Sequence, residues 1–141
     1  MVFPIQSADS SPAHTAPPLR VATAGEALFD LIEEPDGRLK PCAGGAVYNL
    51  TRALGLQGVG TLYLNPLSGD LLGRQLARGL HDAGVALASP TPVRAPSALA
   101  LAALDAEGKA SYSFYRDGVA DRQVTAAALT AACAALPELQ V

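Results

Sequence analysis

Hydrophobic positions in the first third of the chain form short apolar runs separated by turn residues. The run Leu19–Ala24 predicts a first buried strand, and a second apolar run continues as extended chain after the next glycine. The pair Asp36-Gly37 is a strong hairpin signal. We therefore predict that Leu28–Glu33 folds back on Arg38–Cys42.

Two later stretches change to helical spacing. Leu71–Ala83 repeats leucine every four residues, Asp70 is placed to cap its N-terminus, and Gly84 is placed to end it. Ala46–Leu56 carries apolar residues at i, i+3 and i+7, which predicts a helix that buries this face. The three residues of that face are Val47, Leu50 and Leu54.

Strand-like runs return in the second half of the chain. Thr61–Leu64 predicts a short strand between the two helices, and Ser97–Leu104 with Ala110–Tyr115 predicts a second hairpin. Thr125 is placed to cap a final helix that runs to about Leu136. Strands that alternate with helices predict an α/β fold with a mainly parallel sheet.

Composition narrows the class of protein. The chain has 141 residues, of which 50% are hydrophobic, so one domain with a real core is expected. Residues 1–18 are rich in proline and serine, which predicts a disordered leader before a folded part at 19–141. The net charge of −3 is well mixed, so no nucleic-acid partner is expected.

Neither a membrane segment nor a metal site is expected. The N-terminus lacks a signal-peptide pattern, and the longest apolar run is well short of the roughly 20 residues that span a bilayer, so we expect a cytoplasmic protein. Cys42 and Cys133 lie far apart and outside any Cys/His spacing typical of zinc.

Two consecutive glycines open the first predicted helix. Gly44 and Gly45 let a ligand approach the main chain closely, and the helix N-terminus behind them offers free N–H groups. Asn49 lies one turn into the helix and can hydrogen-bond a hydroxyl nearby. These features favour a small polar-ligand site. The alternative is a loop-to-helix junction that needs glycine only for its turn.

Asp30 is a carboxylate within an otherwise apolar strand. A buried and unpaired carboxylate is costly, so this residue should have a partner. One interpretation is that Asp30 accepts hydrogen bonds from ligand hydroxyls close to Gly45 and Asn49. The alternative is an aspartate on an edge strand that faces water.

Arg116 ends the last predicted strand. Its guanidinium can clamp a polyol or a carboxylate. The alternative is a surface ion pair with Asp117 or Asp121. The strand before it is aromatic and contains Tyr112, Phe114 and Tyr115.

Four short patches stand out in order along the chain: Gly25–Asp30, Gly44–Asn49, Ser68–Gly73 and Phe114–Asp121. Together they resemble the N-terminal half of the ribokinase / PfkB family of carbohydrate kinases, above all its fructokinase-like and 2-keto-3-deoxygluconate-kinase-like branches. Val47 stands where that family usually has proline, glycine or alanine, and Ser68 stands where glycine is usual.

The resemblance implies a ribokinase-like α/β fold, in which the two hairpins supply a small β lid. It implies that Arg116 closes the sugar pocket from the lid side and that Tyr115 or Phe114 packs on the apolar face of the sugar. It also implies a homodimer through the lid strands. The implied sugar-binding residues are Asp30, Gly44, Gly45 and Asn49, with Arg116.

The resemblance further implies a phosphotransferase that moves phosphate from ATP to a sugar hydroxyl, with ATP and Mg²⁺ as cofactors of the complete enzyme. The catalytic aspartate and most of the ATP site belong to the other half of that family's fold. We therefore expect no catalytic or cofactor-binding residue in this chain and no kinase activity from it alone. The alternative is a non-catalytic module that binds a sugar or regulates a partner.

Overall fold

The computed structural model describes residues 17–104 and 110–134. Most of the predicted leader and the turn of the second hairpin lie outside these ranges. The elements in chain order are β1 Leu19–Thr23, β2 Leu28–Glu33, β3 Leu39–Gly44, α1 Ala46–Leu56, β4 Gly60–Tyr63, α2 Leu71–Asp82, β5 Ala86–Leu87, β6 Ala98–Leu104, β7 Ala110–Tyr115, a 3-10 helix Ala120–Gln123, and α3 Ala126–Ala134.

The strands form two sheets. A three-stranded sheet has the order β1-β4-β5 with both pairs parallel. A four-stranded sheet has the order β3-β2-β6-β7, in which two antiparallel hairpins are joined by the parallel β2–β6 pair. Both predicted hairpins and the α/β fold class are confirmed. Because β2 lies inside the four-stranded sheet, the hypothesis that Asp30 lies on an edge strand is wrong.

Helix α1 has the predicted bounds, but it buries a different face. Leu50 is 54% exposed, whereas Tyr48 and Thr51 are fully buried. The Tyr48 hydroxyl donates to the Leu76 carbonyl at 3.4 Å, and the Thr51 hydroxyl shares a 2.7 Å hydrogen bond with that of Thr23. Tyrosine and threonine reach hydrogen-bond partners on α2 and β1, so these two side chains set the buried face.

Helix α2 follows its leucine pattern closely. Leu76 and Leu80 are buried, and Leu72 packs partly against the same cluster. An Asp70 carboxylate oxygen accepts from the Gly73 N–H at 2.7 Å, as predicted for an N-cap. The helix ends at Asp82, one residue before the predicted end.

Asp70 also ties α2 to the start of β6. Ser97 donates to its carboxylate from both the backbone N–H, at 2.8 Å, and the hydroxyl, at 2.7 Å. Partial burial favours a higher pKa, but the hydrogen bonds from Gly73, Ser97 and Ser68 outweigh it and lower the pKa of Asp70 below 3.8. The ionised side chain is therefore the form that stabilises the fold.

Asp70→Ala is expected to lower the free energy of unfolding by about 1–2 kcal/mol at pH 7, the usual cost of losing an N-cap. Since the pKa is lowered on folding, this stabilisation is complete above the unfolded value of 3.8 and is lost as the pH falls through the folded value. Urea unfolding from pH 7 to pH 3 measures both effects. Asp82→Ala, at the other end of α2, is the control, and an equal loss there would contradict the capping role.

The buried clusters lie on both sides of the four-stranded sheet and beneath α3. The largest cluster contains Phe29, Tyr63 and Leu76. A second contains Leu28, Ala98, Ala100 and Val119. The third forms where α3 packs on the three-stranded sheet, at Ala22, Leu62 and Leu64.

Helix α3 begins as predicted. The Thr125 hydroxyl oxygen accepts from the Ala128 N–H at 3.1 Å. The predicted end near Leu136 lies outside the described residues. Across the described ranges, no helix combines the length and the apolar character that crossing a membrane requires.

Candidate functional site

Asp30 lies in the middle of the four-stranded sheet, opposite Cys42 of β3 and Ala100 of β6. Its side chain is half-buried. Among the described residues its carboxylate has no hydrogen-bond partner, so the protein partner expected from the sequence is absent there. The carboxylate is an acceptor that remains available to a ligand.

The backbone at Gly44 lies against this carboxylate. A side chain at position 44 would overlap the Asp30 carboxylate oxygen and approach the Leu28 side chain. Gly44 is itself buried, and any side chain at this position would force the Asp30 carboxylate to shift.

Gly45 is required for two reasons. Its φ of 104° lies in the left-handed region, and a methyl group at this position would lie 2.8 Å from the Glu26 carbonyl oxygen. Both glycines are thus explained by the fold itself. They also keep this turn free of side chains next to Asp30.

The first turn of α1 is capped from elsewhere in the chain. Gly45 has no side chain to cap it, and the Ala46 N–H donates instead to a Glu26 carboxylate oxygen at 3.2 Å. The Tyr48 N–H donates to the Glu26 carbonyl at 3.2 Å. Asn49 lies on the exposed side of this turn, where its amide is accessible.

Arg116 forms two ion pairs. One terminal nitrogen donates to Glu26 at 2.8 Å and the other to Asp121 at 3.2 Å. The side chain of Arg116 is 30% exposed and that of Asp121 only 2%. The predicted pairing with Asp121 is confirmed, but the ion pair is not on the surface because Asp121 is buried, and Asp117 is not the partner. Sequence reasoning missed Glu26, although it lies within one of the quoted patches.

A polar network joins this ion pair to the segment between β1 and β2. The Gly25 N–H donates to the Asn65 side-chain oxygen at 2.7 Å, and the Asn65 amide donates to the Asp121 carbonyl at 2.7 Å. The Ala27 N–H donates to the Asp121 carboxylate at 3.3 Å. Sequence reasoning assigned no role to Asn65.

Tyr63 completes the network. Its hydroxyl donates to the Gly25 carbonyl at 2.7 Å. Burial, with a smaller contribution from the charges of Asp121 and Glu26, raises the pKa of Tyr63. The phenol therefore stays protonated and remains a donor.

Tyr63→Phe is expected to lower the free energy of unfolding by about 1–3 kcal/mol, because the Gly25 carbonyl loses its donor in a buried site. The control is Tyr112→Phe, since Tyr112 is 57% exposed. Urea unfolding followed by circular dichroism measures both variants. Equal stability of Tyr63→Phe and the unmodified chain would contradict a stabilising role for the hydrogen bond between Tyr63 and Gly25.

A cleft of about 320 Å³ lies beside Arg116, at the β6–β7 end of the four-stranded sheet. Neither Asp30 nor Gly45 lines it. The structure brings Asp30 and Gly44 into contact. Glu26 connects the turn at Gly45 to Arg116. Asn49 lies one helical turn further along α1. The residues that line the cleft are Pro96, Ser97, Leu99, Phe114, Tyr115, Arg116, Asp117 and Val119.

Strand register separates the two aromatic residues expected to pack on a sugar. Phe114 pairs with Ala100, which pairs with Asp30, so Phe114 and Asp30 share one face of the sheet. Tyr115 pairs with Leu99 and lies on the opposite face. Of the two, Phe114 is the residue on the same face as the Asp30 carboxylate.

The acidic residues of the described ranges are not gathered into a metal site. Within these ranges, no group of three or more His, Cys, Asp or Glu residues is placed to hold a metal ion. Asp121 is already bonded to Arg116 and Ala27, and Asp70 caps α2.

The sequence is similar to known fructokinases. It is 32% identical over 113 residues to a fructokinase from Rhizobium leguminosarum bv. trifolii, covering 77% of this chain and 34% of that protein. A fructokinase-1 from Zea mays is 32% identical over 118 residues, covering 75% of this chain and 35% of that protein. No family model matches the chain.

The fold is similar to solved fructokinase structures. Two structures of a Xylella fastidiosa fructokinase, one with bound ATP, give TM-scores of 0.71 and 0.70 at 32% and 30% identity. Each match covers 77% of this chain, together with 37% of the first fructokinase chain and 36% of the second. The chain thus spans about a third of the length of the curated relatives it matches, less than the half that the sequence patches implied.

Proposed function

Since the chain belongs to the ribokinase / PfkB family of carbohydrate kinases and spans about a third of its relatives, we propose that it supplies the sugar-recognition part of an ATP-dependent kinase. The observation that carries this proposal is the half-buried Asp30 carboxylate, which lies against the Gly44 backbone and has no hydrogen-bond partner among the described residues. Such a carboxylate is a strong acceptor of hydrogen bonds from sugar hydroxyls.

Each proposed binding residue makes a different kind of interaction with the sugar. Asp30 accepts hydrogen bonds from sugar hydroxyls, and the partly exposed turn at Gly45, next to the buried Gly44, lets the sugar approach the main chain. Asn49 can donate and accept at the exposed side of the same helix end. Phe114 packs on the apolar face of the sugar, because it shares the sheet face of Asp30.

Arg116 lies on the lid side of the proposed pocket, where two ion pairs hold its side chain. Its terminal nitrogens are already bonded to Glu26 and Asp121, and with Asp30 the site carries three carboxylates against one guanidinium. This excess of negative charge disfavours an anionic ligand. We therefore propose a neutral sugar of the fructose type rather than a keto-deoxy sugar acid.

Phosphoryl transfer requires groups beyond those identified in this chain. ATP supplies the phosphoryl group, and Mg²⁺ neutralises charge on its phosphates. The family resemblance implies that the catalytic aspartate lies in the other part of the fold. On this proposal the chain by itself binds the sugar and does not phosphorylate it.

Calorimetric titration of the 141-residue chain with fructose and with 2-keto-3-deoxygluconate tests the proposal. We expect saturable fructose binding, weaker or absent binding of the acid, and no sugar-dependent ADP formation when ATP and Mg²⁺ are added. Absence of fructose binding contradicts sugar recognition. Tighter binding of the acid than of fructose contradicts the charge argument. ADP formation contradicts the proposal that the chain alone does not phosphorylate the sugar.

A further inference from the structure

The start of α1 depends on a side chain from a distant part of the sequence. Gly45 is the N-cap residue and has no side chain, and Glu26 supplies the missing acceptor to the Ala46 N–H at 3.2 Å. The Glu26 carbonyl also accepts from Tyr48 and limits the space at Gly45. Two hydrogen bonds to one residue therefore fix this turn.

The same carboxylate is bonded to Arg116. One Glu26 oxygen faces the Ala46 N–H and the other faces the Arg116 guanidinium at 2.8 Å. Two donors thus meet two acceptor oxygens. Glutamine would present an NH₂ group to one of the donors, and aspartate is shorter by one methylene, so glutamate matches this position where its close analogues do not.

Arg116 is in turn held at the end of β7. Its second nitrogen donates to Asp121, whose carboxylate also accepts from the Ala27 N–H. The chain of contacts runs from the last strand of the four-stranded sheet, through Arg116 and Glu26, to the first turn of α1. It joins segments 90 residues apart in sequence.

We propose that Glu26 and Arg116 are positioning residues for the Gly45 turn. Arg116 orients the Glu26 carboxylate, and Glu26 orients the backbone that meets the sugar. The effect on sugar binding rests on the proposed function, whereas the effect on the turn itself does not. Arg116 then acts on the sugar through Glu26 rather than as an independent contact.

The test uses Glu26→Gln, Arg116→Lys and the double variant in the 141-residue chain. The matched control is Arg38→Lys, because Arg38 forms an exposed pair with Asp36. Amide hydrogen exchange of Ala46 and Tyr48 measures the turn, and fructose titration measures the site. Thermal unfolding establishes that each variant is folded at the temperature used, and Arg116→Lys alone carries the test if Glu26→Gln fails to fold.

We expect exchange at Ala46 to accelerate at least about threefold in both single variants and to be unchanged in the control. The fructose dissociation constant should rise about fivefold in each single variant and no further in the double variant, since both act through one contact. Unchanged exchange at Ala46 overturns the positioning role, even if fructose binds. Losses of affinity that multiply in the double variant show that Arg116 contacts the sugar directly, which also overturns the positioning role.

If the unmodified chain does not bind fructose, the proposed function fails and the exchange measurement alone decides the positioning role.

Discussion

Asp30→Ala is expected to weaken fructose binding by about 3 kcal/mol or more, roughly a hundredfold, while the fold stays intact. Hydrogen bonds to a charged group contribute about 1.5–3 kcal/mol each, and an unpartnered carboxylate can accept from two hydroxyls. The fold should be little affected because Asp30 is half-buried and makes no hydrogen bond within the described part of the chain. Fructose titration and urea unfolding measure the two quantities.

Asp36→Ala is the matched control, since it removes an exposed carboxylate at the hairpin turn of the same strand pair. Its fructose affinity should equal that of the unmodified chain. An unchanged dissociation constant in Asp30→Ala would remove this residue from the site.

Asp121→Ala is expected to lower the free energy of unfolding by about 2–4 kcal/mol, the largest stability effect we predict. Its side chain is 2% exposed and accepts from both Arg116 and Ala27. Removing it leaves one side of the Arg116 guanidinium and the Ala27 N–H without an acceptor in a buried place. Arg116 keeps its bond to Glu26, so the effect falls below that of an isolated buried charge.

Urea unfolding of Asp121→Ala measures this loss. Asp117→Ala is the control, because Asp117 is exposed and follows Arg116 directly. A loss below about 1 kcal/mol in Asp121→Ala, or an equal loss in the control, would show that the ion pair contributes little.

Local sequence signals predicted the elements well. The Asp36-Gly37 turn, the leucine repeat of α2 and the Asp70 cap act between neighbouring residues, and each lies where it was predicted. The face of α1 could not be predicted in this way. Tyr48 is buried because its hydroxyl reaches α2, a contact that apolar spacing does not record.

The candidate site was only partly predictable for the same reason. Asp30 and Gly44 stand out as residue types that are unusual in their places, and the structure brings them into contact. The pairing of Asp121 with Arg116, five residues away, was predicted. Glu26 pairs with Arg116 across 90 residues, and Asp121 accepts from the Ala27 N–H across 94. These two contacts depend on how the four-stranded sheet brings the start of β2 to the end of β7, which no local pattern shows.

The choice between Phe114 and Tyr115 depended on strand register. Successive residues of a strand face opposite sides of a sheet, so a shift of one position would exchange them. Pairing of Ala100 with both Asp30 and Phe114 fixes the register.

Chemical-shift mapping of the ¹⁵N-labelled chain with fructose tests the central claim most directly, because it locates the sugar without assuming any residue's role. We predict that the largest amide shifts fall at Gly44, Gly45 and Asn49. Shifts confined to the cleft around Leu99 and Val119, or no saturable shifts at all, would contradict a sugar site at the start of α1.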